Sequence, residues 1–204
     1  MPICKVCLKE MTTPSFLSFF SKENIMCPEC QNKFRPVFRK VSKLDGNIYV
    51  LYHYDETIRS LLYQFKVADD YEIYSVFLGR FAPYLRLKFH DYILVPAPSV
   101  STDNERRGYN HVEMMFSVLK LPLVRAVKKI NSNKQTNRTK RERYQIKDDL
   151  ALEDNINLAG KKVLLIDDVL TTGSTLNTME QLIKTLKPAK IEKLVLSIVA
   201  SHPL

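Results

Sequence analysis

Short continuous apolar runs alternate along this chain with segments in which apolar residues recur at helical spacing. Three runs each predict a short buried strand: "DYILVPAP" at 91–98, "KKVLLIDDV" at 161–169 and "IEKLVLSIVA" at 191–200. A fourth segment, "IYVLYHY" at 48–54, follows the turn signal "DGN". Its β-branched and aromatic residues predict another strand.

Helical spacing occupies the stretches between these strands. It predicts helical structure from Glu56 to about Leu87, a helix beginning after Gly108, and a helix from the end of "TTGST" at 171–175 to about Leu186. Because helices separate the strands, the sequence predicts an α/β fold with a parallel, doubly wound sheet flanked by helices. At 204 residues the chain is long enough for one such domain and a small appended module.

The four cysteines all lie near the N-terminus. They form two Cys-x-x-Cys pairs, Cys4 with Cys7 and Cys27 with Cys30, separated by nineteen residues. This zinc-ribbon spacing predicts a structural, tetrahedral zinc site, and the alternative is four reduced thiols without a metal. We therefore predict a Cys4 zinc-binding module at residues 1–45 and the α/β domain at residues 46–204.

The formal net charge of +9 is concentrated in one segment. Between Arg125 and Lys147, nine basic residues stand against one acidic residue, Glu142, and a second basic run at 33–43 follows the cysteines. Concentrated positive charge predicts a polyanionic partner, either nucleic acid or a phosphorylated ligand. A solvated face that keeps the protein soluble is the alternative interpretation.

The sequence predicts neither a membrane span nor a secretion signal. No apolar run reaches the roughly 18 residues that a membrane span requires, and "MPICKVCLKE" at 1–10 lacks the apolar core of a secretion signal. Thiols clustered at one place indicate a reducing compartment. We expect a soluble, cytoplasmic protein.

The most informative stretch is "VLLIDDVLTTGSTL" at 163–176. Ligands of parallel sheets bind beyond the carboxyl ends of the strands, where Asp167 and Asp168 are expected to stand. Residues 171–175 then offer backbone N–H groups, hydroxyls and the positive end of a helix dipole, which together can hold a phosphate. Helix capping alone would explain one hydroxyl. The stretch is neither a nucleotide P-loop nor a dinucleotide fingerprint, because it lacks Gly-Lys-Ser/Thr and three spaced glycines.

This stretch resembles the signature of the type I phosphoribosyltransferases, which bind phosphoribosyl pyrophosphate (PRPP). The resemblance implies that the loop holds the 5′-phosphate, that the two acids engage the ribose hydroxyls, and that Mg²⁺ accompanies the pyrophosphate. The PRPP-binding residues implied in this way are Asp167, Asp168, Thr171, Thr172, Gly173, Ser174 and Thr175.

Three further motifs narrow the resemblance: "YDETIRSLLYQFK" at 54–66, "VPAPS" at 95–99 and "RRGYNH" at 106–111. Together with the cysteine pairs and the PRPP loop, they make the whole chain similar to the late competence ComF family, specifically its ComFC members. That family is associated with natural transformation, in which DNA enters the cell as a single strand, and with a partner helicase-like ATPase.

The resemblance also implies a loop that contacts the pyrophosphate. The matching positions are Pro96 and Ala97, within residues 95–99. Arg106 and Arg107 could supply charge to the same pyrophosphate or to a DNA backbone, or they could belong to a solvated turn before a helix.

Competing functions remain open at this stage. The first is a competence protein that handles incoming single-stranded DNA and retains a PRPP-type site; its nucleic-acid contacts would be Lys134, Arg138, Lys140, Arg141 and Arg143. The second is an active phosphoribosyltransferase that transfers the phosphoribosyl group of PRPP to an unidentified acceptor. A third is a PRPP-sensing regulator. No nucleobase-recognition motif is visible, and the sequence does not establish catalysis.

Overall fold

The computed structural model describes residues 3–11, 26–43, 46–99, 108–130 and 150–199. The strands are β1 (Pro36–Lys43), β2 (Gly46–His53), β3 (Tyr92–Pro96), β4 (Val127–Lys129), β5 (Leu150–Leu152), β6 (Lys162–Leu170) and β7 (Lys190–Ile198). The helices are α1 (Pro28–Gln31), α2 (Glu56–Lys66), α3 (Tyr74–Leu78), α4 (Ala82–Lys88), α5 (His111–Phe116) and α6 (Ser174–Lys184). Single 3₁₀ turns precede α3 and follow α5.

Five strands form one sheet in the order β1-β2-β7-β6-β3. The four predicted strands, β2, β3, β6 and β7, are parallel to one another, which confirms the predicted α/β fold. The outer strand β1 pairs antiparallel with β2 and was not predicted, because its sequence "PVFRKVSK" is rich in charge. Strands β4 and β5 form a separate antiparallel pair.

The helical structure predicted from Glu56 to about Leu87 is divided into three short helices, α2, α3 and α4. Helix α2 begins where the Asp55 carboxylate accepts the N–H of Ile58 at 3.0 Å, and it ends at Val67. Asp69 follows with a φ of 54°, a left-handed conformation that no α-helix can continue through. The chain therefore turns before α3 and again before α4, so that three short helices cover the sheet.

The two faces of the sheet alternate along β6. Leu164 and Ile166 pack into a cluster with α2, α3, α4 and α5, whereas Val163 and Leu165 pack into a second cluster with α6 and the β4–β5 pair. This period of two is what a strand buried on both faces requires. The sheet is therefore the middle layer between two sets of apolar side chains.

The cysteine-bearing segment shares the first of these clusters. Cys4, Cys30 and Phe34 are buried in the same apolar cluster as α2 to α4, and the ring of Phe34 lies 5.4 Å from that of Tyr52 on β2. Lys5 also pairs with Glu72 at 3.4 Å. The division into residues 1–45 and 46–204 stays a prediction, and the two parts are in close contact.

Parallel strands end together at one edge of the sheet. Pro96 at the end of β3 lies opposite Ile166 on β6, and the N–H of Ala97 donates to the Ile166 carbonyl at 2.8 Å. The loop after β3 therefore stands beside the residues that follow Ile166. No helix in the described ranges combines the length and apolar character needed to cross a bilayer.

Candidate phosphosugar site and cysteine cluster

The loop between β6 and α6 turns at Gly173 and leads directly into the helix. Gly173 immediately precedes α6 with a φ of 81°, a conformation that favours glycine. The Thr172 hydroxyl lies 3.1 Å from that of Ser174 and accepts the Ser174 N–H at 3.3 Å. The predicted residues 171–175 are thus gathered around the N-terminus of an eleven-residue helix. Backbone N–H groups and the helix dipole favour an anion there.

The two acids stand at the end of β6 in different environments. Asp168 is only 7% exposed, whereas Asp167 is half-buried. The Asp167 carboxylate accepts the N–H of Asp168 at 2.8 Å, and the Asp168 carboxylate accepts the N–H of Val169 at 2.6 Å. The adjacent carboxylates are therefore not equivalent.

Two side chains from other elements converge on Asp168. Lys66, the last residue of α2, forms an ion pair with Asp168 Oδ2. His111, the first residue of α5, has its Nε2 atom 3.2 Å from the same oxygen. Since an ionised carboxylate only accepts hydrogen bonds, the geometry fits a His111 Nε2–H that donates to Asp168. Three donors therefore surround this carboxylate.

Local contacts hold α2 and α5 where they can reach Asp168. The Tyr109 hydroxyl donates to the Phe65 carbonyl at 2.8 Å, and the two rings lie 5.7 Å apart. The Asn110 side chain caps α5 by accepting the N–H groups of Val112 at 2.9 Å and Glu113 at 3.2 Å. The motif that ends in His111 is thus tied to the end of α2.

Lys66 and His111 were not identified as site residues from the sequence. Lys66 is 102 residues from Asp168, and His111 is 57 residues from it, so no local spacing could connect them. The available signal was that each residue ends a motif, at 54–66 and 106–111, that the PRPP signature leaves unexplained.

A cleft of about 350 Å³ begins one strand away from the acids. The predicted pyrophosphate loop forms part of its wall through Pro96, Pro98 and Ser99, and the other walls are contributed by Gly108, Tyr109, Asn110, Glu113, Arg125, Val127, Lys128, Lys129 and Glu153. Ala97 is buried and turned into the second apolar cluster. The cleft therefore joins the predicted loop to the basic strand β4.

Two cations of this cleft form ion pairs with carboxylates. Arg125 pairs with Glu113 through two contacts of 2.7 Å, and the Glu113 hydrogen bond holds the pKa of Arg125 above its usual value. Lys128 pairs with Glu153 at 2.9 Å, which likewise raises the pKa of Lys128. The described cleft wall contains three cations, Arg125, Lys128 and Lys129, against the two carboxylates, so its net charge is +1.

Several predicted site residues lie outside the described ranges. Arg106 and Arg107 precede Gly108, where the description resumes. The predicted nucleic-acid residues fall between Ile130 and Leu150, and they are Lys134, Arg138, Lys140, Arg141 and Arg143. Their roles stay predictions.

The four cysteines come together at the opposite end of the described chain. Their sulfur atoms all lie within 4.8 Å of one another, and Cys7 Sγ is 3.7 Å from Cys27 Sγ. Tetrahedral zinc with bonds of about 2.3 Å requires sulfur atoms about 3.8 Å apart. The cluster therefore has the dimensions of a site that could hold a zinc ion.

The cluster also favours the thiolate at one position. Burial opposes ionisation of Cys4, but hydrogen bonds from the backbone N–H groups of Cys27, Cys7 and Val6 outweigh it and lower the pKa of Cys4 to about 6. Burial and then hydrogen bonds with the neighbouring sulfurs raise the pKa of Cys30. A metal ion would stabilise all four thiolates, because zinc binds the deprotonated form.

Comparison with known proteins agrees with these features. Residues 105–201 match the phosphoribosyl transferase domain family. The chain is 30% identical to competence protein ComFC of Bacillus subtilis (strain 168) over 129 residues, which cover 62% of this chain and 53% of the relative. It is 23% identical to competence protein ComFC of Streptococcus pneumoniae (strain ATCC BAA-255 / R6) over 134 residues, 66% of this chain and 60% of the relative. The chain thus spans little more than half the length of these relatives.

Solved structures give partial superpositions. Purine phosphoribosyltransferase from Pyrococcus horikoshii Ot3 is 20% identical with a TM-score of 0.40, covering 64% of this chain and 77% of that protein. A hypoxanthine-guanine phosphoribosyltransferase from Bacillus anthracis is 16% identical with a TM-score of 0.37, covering 62% of this chain and 66% of that protein. From the family match, the parallel sheet and the cysteine cluster, we conclude that the chain has a type I phosphoribosyltransferase-like fold and that its sequence is similar to those of the ComFC competence proteins.

Proposed function

We propose that this protein is a competence protein with a working PRPP-type site, and that it handles incoming single-stranded DNA during natural transformation. The observation that carries the PRPP assignment is the joint position of Asp167, the loop 171–175 and the α6 N-terminus at the end of β6, one strand from the cleft. PRPP has three parts, a 5′-phosphate, a ribose and a pyrophosphate. Each part has a chemically matching group in this region.

The loop supports binding of the 5′-phosphate. Backbone N–H groups around Gly173 and the hydroxyls of Thr171, Thr172, Ser174 and Thr175 can donate hydrogen bonds to phosphate oxygens, and the helix dipole adds a favourable field. A phosphate can be held in this way without a lysine, as in other glycine-containing turns that precede helices.

The ribose is assigned mainly to Asp167. Asp168 already accepts from Lys66, His111 and its own neighbour Val169, and it is buried. Asp167 is half-buried at the same strand end, so its carboxylate is the better placed of the two to accept hydrogen bonds from ribose hydroxyls. Within the proposed site, Asp168 becomes a positioning residue that fixes the strand end.

The pyrophosphate is assigned to the cleft. The loop at 95–99 and the cations Lys128 and Lys129 border it, and diphosphate oxygens accept readily from lysine and backbone N–H groups. Mg²⁺ bound with the pyrophosphate would offset the remaining negative charge. Arg106 and Arg107 belong to the same proposal, since the chain re-enters the cleft wall at Gly108.

Single-stranded DNA is assigned to the basic segment between Arg125 and Lys147. Its flanks are held together because Lys129 on β4 pairs with Leu150 on β5. Concentrated positive charge would neutralise DNA phosphates and make binding steeply dependent on salt. A competence helicase or ATPase would be a further partner. Zinc in the Cys4 cluster would be structural, with Cys4, Cys7, Cys27 and Cys30 as ligands.

Calorimetric titration tests the PRPP site. PRPP should bind the wild-type protein with measurable heat in the presence of magnesium, and more weakly without it. The double variant Asp167→Ala with Asp168→Ala should lose this heat. Equal heats from the two proteins would eliminate the assignment.

A titration with labelled single-stranded DNA tests the second part. Affinity should fall steeply between a low and a high salt concentration, and charge reversal at Lys140, Arg141 and Arg143 should weaken it. An unchanged affinity for single-stranded DNA in this triple variant would show that the basic segment does not bind DNA.

An active phosphoribosyltransferase is the second candidate, and the family match over residues 105–201 favours it. The pairing of Lys66 with Asp168 argues in the other direction, because it neutralises one of two acids that would otherwise stabilise an oxocarbenium-like centre. Pyrophosphate release from PRPP with a panel of amine and base acceptors decides between an enzyme and a binding protein.

A further inference from the structure

We infer that the protein has a second contact surface for single-stranded DNA, away from the segment between Arg125 and Lys147. We call it the α4 surface, and its central residues are Lys40, Tyr49, Tyr84 and Lys88. The inference deepens the proposed DNA-handling function and rests on it for the identity of the partner. All four residues of the α4 surface lie in the described ranges, whereas the central part of the basic segment lies outside them.

Lys88 lies between the two tyrosine rings of the α4 surface. Its Nζ lies 4.8 Å from the centre of the Tyr49 ring and 5.9 Å from that of Tyr84. Lys40 Nζ lies 5.7 Å from the centre of the Tyr49 ring, and Lys40 and Tyr49 are directly paired between β1 and β2. Two ammonium groups and two aromatic rings are therefore interleaved in one continuous patch.

The patch is partly exposed, and its two lysines form no ion pair with a described residue. Tyr84 is 49% exposed, and its ring meets that of Phe38 edge-on at 5.1 Å. Within the described ranges, Lys40 and Lys88 have no carboxylate oxygen within 4.0 Å. Their contacts with aromatic faces leave the ammonium groups able to donate to phosphate oxygens as well.

The surface continues toward the first residues of the parallel strands. Phe89 packs 5.2 Å from Tyr92 at the start of β3, and Lys162 and Lys190 lie within 6.0 Å of the Tyr92 ring. These two lysines also pair with Asp91 at 2.6 Å and Glu192 at 3.3 Å. Lys162 and Lys190 are therefore neutralised by these acids, and the net positive charge of the α4 surface comes from Lys40 and Lys88.

This position separates the α4 surface from the proposed phosphosugar site. Lys162 opens β6, and Asp167 is five residues further along the same strand, which corresponds to about 17 Å. DNA on this surface would therefore leave the loop at 171–175 accessible, so that both ligands can be bound together.

Single-stranded DNA fits this chemistry better than other polyanions do. Unpaired bases can stack on an exposed tyrosine while neighbouring phosphates contact lysines, and this combination of aromatic side chains and a basic groove is how proteins bind single strands without sequence preference. Duplex DNA buries its base faces, and an acidic peptide offers no flat rings to stack. The expected ligand is therefore a single strand.

The test uses the full chain and a fluorescently labelled oligodeoxythymidylate, with anisotropy measured at two salt concentrations. The charge variant is Lys40→Gln with Lys88→Gln, and its matched control is Arg59→Gln with Lys184→Gln, which removes the same charge from exposed positions on α2 and α6. The stacking variant is Tyr84→Leu. Tyr84→Phe retains the ring, and Tyr63→Leu removes another exposed tyrosine, on α2. Melting curves establish that each variant is folded.

We expect the charge variant to weaken binding about tenfold relative to its control and to reduce the slope of log affinity against log salt by about 1.4, for two lost phosphate contacts. Tyr84→Leu should weaken binding about fivefold, while Tyr84→Phe and Tyr63→Leu should not. If the wild type binds DNA and loses affinity on charge reversal at Lys140, Arg141 and Arg143, but not in the Lys40 and Lys88 variant, the α4 surface is refuted and the proposed function survives. Absence of binding by the wild type would refute both, and equal affinity for duplex DNA would refute the stacking role.

Discussion

Lys66 and Asp168, 102 residues apart in the sequence, form an ion pair at the end of β6. The pair joins the last residue of α2 to the second acid of the PRPP signature, and His111 contacts the same carboxylate oxygen. Two of the three motifs beyond the PRPP signature, at 54–66 and 106–111, therefore meet at that acid. Asp168 acts as the anchor for both.

The substitution Lys66→Met should destabilise the protein by about 2 kcal/mol. The substitution leaves the largely buried Asp168 carboxylate without its lysine partner. Removing one member of a buried ion pair is costly. Arg59→Met on the same helix is the control, because the Arg59 side chain is 69% exposed and its contact with Glu56 is 3.9 Å long, so it should cost no more than about 0.5 kcal/mol. Urea denaturation measures both. Equal stability of the two variants would mean that the pair does not anchor α2.

Gly173→Ala should strain the loop between β6 and α6. A φ of 81° disfavours any residue with a Cβ atom, by about 1 kcal/mol. Gly160→Ala is a matched control, since Gly160 has a φ of 67° and an added Cβ would meet no atom within 4 Å. Both variants should lose similar stability in thermal melts, but only Gly173→Ala should weaken PRPP binding in calorimetry. A loss of binding in both would indicate a general effect of destabilisation.

Removal of zinc should destabilise the helices α2 to α4 as well as the cysteine cluster. Cys4 and Cys30 belong to the same apolar cluster as α2 to α4, so loss of the metal should expose part of that cluster. Elemental analysis should find close to one zinc per chain. A chelator should then lower the melting temperature by several degrees, and added zinc should restore it. Protein purified without zinc, with the same melting temperature as metal-loaded protein, would contradict the zinc assignment.

Glu180→Gln should loosen the helix that follows the phosphate loop. Glu180 on α6 pairs with buried Lys193 on β7 at 2.5 Å, and Lys193 also donates to Asn177 at 3.3 Å. Without the carboxylate, the Lys193 charge is buried without an anionic partner, at a cost of about 3 kcal/mol. Lys184→Gln removes only the exposed partner of Glu180 and should cost less than about 1 kcal/mol.

The same pair predicts a pH dependence. Burial of Glu180 opposes ionisation, but hydrogen bonds from Lys193 and Lys184 outweigh it and hold the pKa of Glu180 below its usual value. A depressed folded-state pKa stabilises the protein above the unfolded-state value of about 4.5, and this stabilisation is lost as pH falls from there through the lowered pKa. In urea unfolding, wild type and Glu180→Gln should therefore differ most near neutral pH and converge in acid. A difference that stays constant down to pH 3 would contradict this account.

Local sequence patterns accounted for the centre of the fold. Continuous apolar runs predicted β3, β6 and β7 because a strand buried on both faces needs no polar alternation, as Val163 and Leu164 illustrate. The β-branched and aromatic residues at 48–54, after a turn signal, predicted β2. Cysteine spacing predicted the cluster of four sulfurs, since four soft ligands in paired knuckles have few other uses.

Features that depend on distant contacts were not predictable in this way. Strand β1 carries Arg39 and Lys40, and only its pairing with β2 makes it a strand. The break after α2 depends on the left-handed conformation of Asp69, which its identity permits but does not require. The different environments of Asp167 and Asp168 arise from Lys66 and His111, whose approach is decided by helix packing.

The most direct test of the central claim is the dissociation constant of PRPP for Asp167→Asn, measured in magnesium beside the wild type. Asparagine keeps the size of the side chain and its ability to accept the Asp168 N–H, but it loses the charge-assisted hydrogen bonds to ribose hydroxyls. The account predicts at least a tenfold increase in the dissociation constant, about 1.4 kcal/mol of binding free energy, for a variant that melting curves show to be folded. An unchanged dissociation constant would contradict it.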